Sequence, residues 1–483
     1  MGQKSIKKNY IYNLTYQILT LITPLITTPY LSRVLGASGI GVYSFASSIV
    51  TYFILFATLG TATYGQREIS YVQDNREKRT EVFWNTEFLS CISTLIILLL
   101  YGIYVVLFSG NIIIYTIFSL NIISVAFDIT WLYRGMEEFG QIVFRNIFFK
   151  IMNIVLIFLV VRTEADVVKY VLIMCFLPFL GMLSLWISMF GIVDKPDWRK
   201  VKPFTNLNVV LSMFIPTIAI SIYTVLDKTM LGVITGLEAE NGYYEQALNL
   251  SRAALLLVTS LGTVMIPRIG FHYEKREIEL VRNYMYRSYR FVWFLGIPLC
   301  FGLIAVAPNI VPWFYGDGFD KVVPLLGILA FLILAIGINN VTGMQYLIPT
   351  KRQNIFTYTV LAGAVTNFVL NLILIPKWYS LGAAFASVLA ETVIAVVQII
   401  IVRKEILPKK ILLSSGHYLI AGTVMYGGIR ILGEFLKQGI VESTILIVCG
   451  GIIYFCVLMV QKDEFFINQV GNVLKKLNIC KNK

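Results

Sequence analysis

Residues 83–133 read FWNTEFLSCISTLIILLLYGIYVVLFSGNIIIYTIFSLNIISVAFDITWLY. Two apolar runs, 83–108 and 112–133, flank Ser109-Gly110-Asn111, three residues that favour a turn. Each run is long enough to cross a hydrocarbon core of about 30 Å as a helix rising about 1.5 Å per residue. The stretch reads as a helical hairpin in a bilayer, because lipid offers no partner to a free backbone amide.

Twelve further runs of this kind lie at 10–32, 40–64, 141–161, 167–193, 207–234, 242–267, 291–313, 322–348, 355–376, 381–402, 411–433 and 440–460. The sequence therefore predicts an all-α polytopic membrane protein with about 14 transmembrane helices. Composition agrees: 57% of the 483 residues are hydrophobic and 14% charged, with a mean hydropathy of +0.75. An ordinary soluble domain has roughly 45–50% and about 25%. The short alternating strands of an outer-membrane barrel are absent from the sequence.

The net charge of +13 arises from Lys and Arg clustered between apolar runs, which suits lipid headgroups and not nucleic acid. The six cysteines form no C-x-x-C pair, and with His272 and His417 as the histidines, no metal centre is expected. With the N-terminus cytoplasmic, thirty Lys and Arg fall on that side and six on the other, so both termini are expected in the cytoplasm. Met1 to Lys8 is a short basic lead without a small-residue cleavage site, read as the start of a retained first helix. The expected organisation is an N-terminal lobe of six spans over 1–200, a C-terminal lobe of six over 201–410, two more spans over 411–462, and a cytoplasmic amphipathic tail over 463–483.

The lobes rest on an internal repeat. Gly41-x-Tyr43-x-x-Ala46 recurs as Gly242-x-Tyr244-x-x-Ala247, and Leu59-Gly60-Thr61 as Leu261-Gly262-Thr263. Gly135-Met136 and Asn146-Ile147-Phe148 recur as Gly343-Met344 and Asn354-Ile355-Phe356. Because the repeat carries six spans onto six, both halves enter the membrane from the same side, the parallel arrangement of alternating-access transporters.

A charge at mid-bilayer costs at least ~2.5–3.5 kcal/mol, so each one marks a wet cavity, a pairing or a function. Lys150, Arg252 and Glu391 fall near the centres of their spans, Asp227 and Lys228 in the outer third of theirs, and Asp128 in an inner third. Glu87, Arg134 and Arg145 lie near cytoplasmic ends. Structural ion pairs are one reading, with Asp128 set against Lys150 or Arg145. The other is a cationic pocket served by Lys150 and Arg252, one from each half of the repeat. Gln17 and the threonines of the first span, with Pro24 and Pro29, and Asn367 with Asn371 one turn apart, suit a polar lining or contacts between helices.

Several stretches resemble one family. Thr28-Pro29-Tyr30-Leu31-Ser32-Arg33-Val34-Leu35-Gly36 followed by Gly39-Ile40-Gly41-Val42-Tyr43 is similar to the opening of Wzx-type polysaccharide flippases of the multidrug/oligosaccharidyl-lipid/polysaccharide exporter superfamily. Arg145-Asn146-Ile147-Phe148-Phe149-Lys150, Leu226-Asp227-Lys228-Thr229-Met230-Leu231-Gly232, and Asn367 through Asn371, Pro376 and Gly382 to Glu391 are similar as well, in the family's order. The resemblance implies two six-helix lobes plus two helices, and translocation of an undecaprenyl-pyrophosphate-linked oligosaccharide across the bacterial cytoplasmic membrane. From their places in the spans, Lys150 and Arg252, with Lys228, Arg145 and Arg33, are the expected substrate-binding cations. Asp128, Asp227 and Glu391 are the carboxylates for a coupling ion, H⁺ or Na⁺, and Gln17, Asn367 and Asn371 are polar lining. No metal or organic cofactor is expected. The expected partners are the lipid-linked oligosaccharide, membrane lipids, a polysaccharide polymerase and chain-length machinery, around a monomer. The arginine cluster of lipid II flippases is not matched beyond Arg33. A drug or cation exporter of the same superfamily is the competing reading. A membrane polymerase or glycosyltransferase is the third, against which stands the first external loop, Ser32 to Gly39, with no carboxylate. No G-x-x-x-x-G-K-[ST] stretch is present for ATP.

Overall fold

Lipid leaves an intrahelical hydrogen bond as the only use for most backbone amides of such a chain, and helices are what form. The computed structural model describes residues 6–467, and no strand occurs among them. The chain divides into two compact units, Met1–Gly242 and Tyr243–Lys483. Of the tail expected over 463–483, the residues from 468 onward lie outside the described residues.

The first unit holds α1 (Ile6–Thr58), α2 (Thr61–Tyr71), α3 (Arg76–Phe108), α4 (Ile112–Phe127), α5 (Thr130–Gly135), α6 (Phe139–Val160), α7 (Val167–Met189) and α8 (Leu207–Thr235). Helix α9 (Glu238–Thr259) begins at the unit boundary. It is followed in the second unit by α10 (Gly262–Glu274), α11 (Ile278–Tyr315), α12 (Val322–Leu329), α13 (Leu332–Asn339) and a π-helical segment, Asn340–Leu347. Then come α14 (Gln353–Trp378), α15 (Ser380–Val402), α16 (Pro408–Leu413), α17 (Gly416–Phe435) and α18 (Ile440–Val460).

All fourteen apolar runs lie on these helices. By length and composition, eleven helices among the described residues can cross a membrane. One of them, Ile22–Tyr71, contains most of the first two expected spans, and the runs 207–234 and 411–433 are not among the eleven. Helix α1 runs through Pro24 and Pro29 and breaks only at Gly36, where φ 63° and ψ −179° suit a residue with no Cβ. The expected loop between the first two spans is thus reduced to one residue.

The buried faces mix apolar side chains with small polar ones, while large apolar side chains also cover the outside, unlike the surface of a soluble bundle. On α3 the buried face carries Thr86, Glu87, Ser90, Ser93 and Thr94, while Leu95, Leu99, Ile103 and Val106 are exposed one turn apart. Hydroxyls in α1 bond back to carbonyls of their own helix, Thr23 to Leu19 at 2.7 Å and Thr27 to Thr23 at 3.0 Å. These two threonines of the first span therefore need no partner helix.

The repeated Gly-x-Tyr-x-x-Ala has a packing meaning. A Cβ on Gly41 would lie 1.7 Å from the Glu238 carbonyl oxygen, and one on Gly242 would lie 1.9 Å from that of Ala37. The two glycines let α1 and the start of α9 cross backbone to backbone, and Ser38 Oγ donates to Glu238 Oε2 at 2.7 Å beside the crossing. Tyr43 packs on Phe118 and Tyr170, with ring centroids 5.6 and 5.0 Å away, and Tyr244 bonds Ser387 at 3.0 Å. Ala46 and Ala247 are buried.

In the second unit α17 and α18 pack on α11 around Tyr289, Trp293, Ile297, Tyr418 and Tyr454. Asp463, just past α18, pins this group. Its buried carboxylate takes Arg290 Nη2 at 2.8 Å, the Tyr418 hydroxyl at 3.2 Å and the Phe466 amide at 2.9 Å. Burial alone would push this carboxyl up, but the Phe466 amide, Arg290 and Tyr418 together hold it below the ordinary carboxylate range.

Two outcomes follow. Gly41→Ala and Gly242→Ala should each lower the thermal unfolding midpoint, by the about 1–3 kcal/mol that overpacking costs; unchanged midpoints would mean that the helices do not cross there. Asp463 has a depressed folded pKa, so its stabilisation is complete above the unfolded value of about 3.9 and is lost as pH falls through the folded value. Asp463→Asn should expose the chain after Val460 to protease at neutral pH, a sensitivity that the native protein gains only in acid.

Candidate functional site

The polar groups inside the helices sort into one constellation in each unit. In the first, α6 carries Arg145 and Lys150. The Arg145 guanidinium spans to α7, with Nη1 3.1 Å from Met182 Sδ and 3.4 Å from the Gly181 carbonyl, and Nε donates to Asn146 at 3.0 Å. Lys150 is half-buried, as are Asp227 and Lys228 on α8. The neighbouring Thr229 hydroxyl bonds Ser48 at 3.0 Å, tying α8 to α1. Arg33 is exposed, its Nη1 donating to the Pro29 carbonyl at 2.7 Å. The side chain of Gln17 lies outside the described residues.

Asp128 sits in a break of the expected fourth span, between α4 and α5. Its half-buried carboxylate accepts the Thr130 amide at 2.9 Å, so it caps α5 across the interruption. The carbonyl ends of α4 are covered from elsewhere. Trp186 Nε1 donates to the Phe127 carbonyl at 3.0 Å, and Ser90 Oγ lies 3.4 Å from that of Val125.

In the second unit the irregular span is the tenth. There α13 widens into the π-helical segment Asn340–Leu347, a form that concentrates at functional positions. Asn339, where the two meet, donates to the Glu391 carboxylate and to its backbone carbonyl, the latter at 3.2 Å. Gln345 donates to Asn340 at 3.0 Å, and Gln398 to Thr359 at 3.0 Å. Asn367 and Asn371 are fully buried on α14, joined by a 3.0 Å bond. Arg252 on α9 is exposed.

Repeat and irregularity coincide. Gly135 ends the broken fourth span and Gly343 lies in the widened tenth, and both are close contacts. Their Cβ atoms would fall 2.7 Å from Ile69 and from Phe356 respectively. The structure thus adds three things to the sequence reading: the two breaks, Asn339 as the donor to Glu391, and the complete burial of Glu87, which is 2% exposed. Helical periodicity carries no signal for a break at Asp128-Ile129, since Asp128 reads as a single charge inside an otherwise apolar run.

Two helical units with repeated sequence, apolar exteriors and charged residues held within the helices define a multi-pass membrane protein with the fold of the multidrug and lipid exporters. The chain belongs to the polysaccharide biosynthesis protein family, which matches residues 6–271. It is 25% identical over 410 residues to a candidate O-antigen transporter of Escherichia coli (strain K12), covering 83% of this chain and 97% of that protein. A counterpart from Shigella dysenteriae is 21% identical over 80% of this chain and 98% of its own length. Among solved structures, lipid II flippase MurJ in an inward closed conformation matches with a TM-score of 0.73 at 15% identity, covering 95% of this chain and 99% of that one. An inward-facing multidrug resistance transporter of the MOP superfamily matches at 0.59 and 13% identity, covering 86% and 96%. These relatives are transporters and flippases by name, not enzymes.

Exposure of Arg252 has a direct check. With the native cysteines replaced by serine, Arg252→Cys should react with a charged, membrane-impermeant thiol reagent in membranes opened to both faces. Modification by apolar reagents alone would place the residue against lipid.

Proposed function

We propose that this protein is a flippase that moves undecaprenyl-pyrophosphate-linked oligosaccharide units across the bacterial cytoplasmic membrane, by alternating access, for assembly of a surface polysaccharide such as O-antigen, capsule or exopolysaccharide. The observation that carries the reading is the nearly end-to-end similarity to the Escherichia coli candidate O-antigen transporter, together with the family match over residues 6–271. The physical need is clear. The glycan head is too polar for hydrocarbon and the polyprenyl tail too apolar for water, so a protein must present a polar path to one and lipid to the other.

In this reading Lys150 and Arg252, with Lys228, Arg145 and Arg33, hold the pyrophosphate by charge-assisted hydrogen bonds. Asp128, Asp227 and Glu391 bind and release H⁺ or Na⁺, with Gln17, Asn367 and Asn371 as polar lining. Both termini lie in the cytoplasm, as the thirty-to-six distribution of Lys and Arg favours. The protein works as a monomer beside a polysaccharide polymerase and chain-length machinery. The fold shared with a multidrug resistance transporter favours a second reading, export of drugs or organic cations.

Depletion of the protein in its host separates the two. The lipid-linked oligosaccharide should accumulate in the inner leaflet while drug sensitivity stays unchanged; heightened drug sensitivity with normal surface polysaccharide would establish the exporter instead. Lys150→Ala and Arg252→Ala should each reduce surface polysaccharide at least tenfold with the protein still in the membrane. Full polymer production in both variants would remove these cations from the site.

A further inference from the structure

Glu87 stands apart from the other carboxylates of the first unit. It is 2% exposed on α3, and neither of its oxygens has a hydrogen-bond partner. The buried hydroxyls of Thr86 and Thr94 on the same helix have none either. This face of α3 is turned toward the C-terminal end of α4, where Ser90 Oγ lies 3.4 Å from the Val125 carbonyl and Cys91 Sγ 4.0 Å from that of Ala126. A helix C-terminus carries a partial negative charge. Helices α1, α2 and α4 pack against α3. From them, the charged group acting on Glu87 is Asp128, at the break after α4, and on α3 itself Cys91 lies one turn away within its field. The surroundings thus hold a second acid and a helix C-terminus, and no donor bonds to either carboxyl oxygen.

The repeat supplies a control. Leu59-Gly60-Thr61 recurs 202 residues later, and helices α3 and α11 begin 202 residues apart. At that spacing the counterpart of Glu87 is Tyr289, which is fully buried and bonds Thr342 of the π-helical segment at 2.7 Å. The polar end of Tyr289 is satisfied by the irregular tenth span. Glu87 faces the irregular fourth span with nothing to satisfy it.

We propose that Glu87 is a proton-binding site of the first unit, occupied by a proton in this conformation and emptied when the contact between α3 and the α4–α5 break opens to water. An ionised carboxylate with no donor and no counter-ion, facing a helix C-terminus and Asp128, is far costlier in a low-dielectric interior than a neutral carboxyl. A metal ion is the poorer occupant. Among the described residues no three His, Cys, Asp or Glu side chains gather to hold one. Opening of the break at Asp128 would hydrate the group, and its proton would pass to water on whichever side has opened. Resting on the transporter reading, this makes Glu87 the residue through which a proton gradient biases the first unit between conformations.

The test is infrared spectroscopy of the purified full-length protein at neutral pH, which reads protonation without any substrate. The native protein should show the carbonyl band of a protonated, non-hydrogen-bonded carboxyl, absent in Glu87→Gln, whose amide mimics the neutral form. Asp128→Asn removes the neighbouring charge and should lower the pH at which that band titrates, which keeps the question open to decision even where the Gln variant fails to fold. Absence of the band from the native protein, its persistence in Glu87→Gln, or a midpoint indifferent to Asp128→Asn would each overturn the proposal. A protein that shows the band but moves no lipid-linked sugar would retain the proton site and lose the proposed substrate.

Discussion

Hydrocarbon cannot supply a hydrogen bond, and this one constraint organises the molecule. It makes the backbone helical and leaves large apolar side chains on the outside as well as in the core, with the hydroxyls and amides kept to the inside. It sends the threonines of α1 back onto their own carbonyls. It also confines backbone irregularity to places that protein side chains cover. The α4–α5 break has Trp186, Ser90 and the Asp128 cap around it, and the π-helical segment is threaded by Asn339, Asn340, Thr342 and Gln345. Such interruptions are tolerated in a membrane only under that condition, and they are where transporters build polar sites.

The two units obey the same rule with different chemistry. In the second, the widened tenth span is answered by a hydrogen-bonded network: Tyr289 to Thr342, Gln345 to Asn340, and Asn339 onto the Glu391 carboxylate. In the first, the broken fourth span is answered by two acids, Asp128, which caps α5, and Glu87, which bonds to nothing. The difference between the halves is that the acid of the second is held by an amide donor, whereas Glu87 of the first is held by none.

Much of the fold was legible in the sequence. Apolar length located the long helices, eleven of which among the described residues can cross a membrane, and the repeated Gly-x-Tyr-x-x-Ala pointed to paired elements before any packing was known. What that repeat means was not legible, because a 1.7 Å clash at Gly41 depends on where Glu238 arrives in space. The candidate site was legible only as a list of improbable residues. Asp128 and Glu391 stood out as charges in apolar runs, but the partners that define them, the Thr130 amide and Asn339, are ordinary residues to a periodicity argument. Glu87 reads as interfacial by its place near the start of a span. Its burial comes from the packing of α1, α2 and α4 against α3. Asp463 follows the last span in a polar stretch, and only the packing of α11 and α17 makes it a buried anchor.

The central claim is that this fold carries a pyrophosphate-linked glycan across a bilayer. The most direct measurement reconstitutes the purified protein in liposomes holding a labelled undecaprenyl-pyrophosphate sugar and follows the fraction reachable by an impermeant oxidant or lectin from outside. Active protein should bring the inner pool outward at a rate well above that of empty liposomes, with Lys150→Ala near the empty rate. Equal rates with and without correctly folded protein, under an imposed proton or sodium gradient of either sign, would contradict the account.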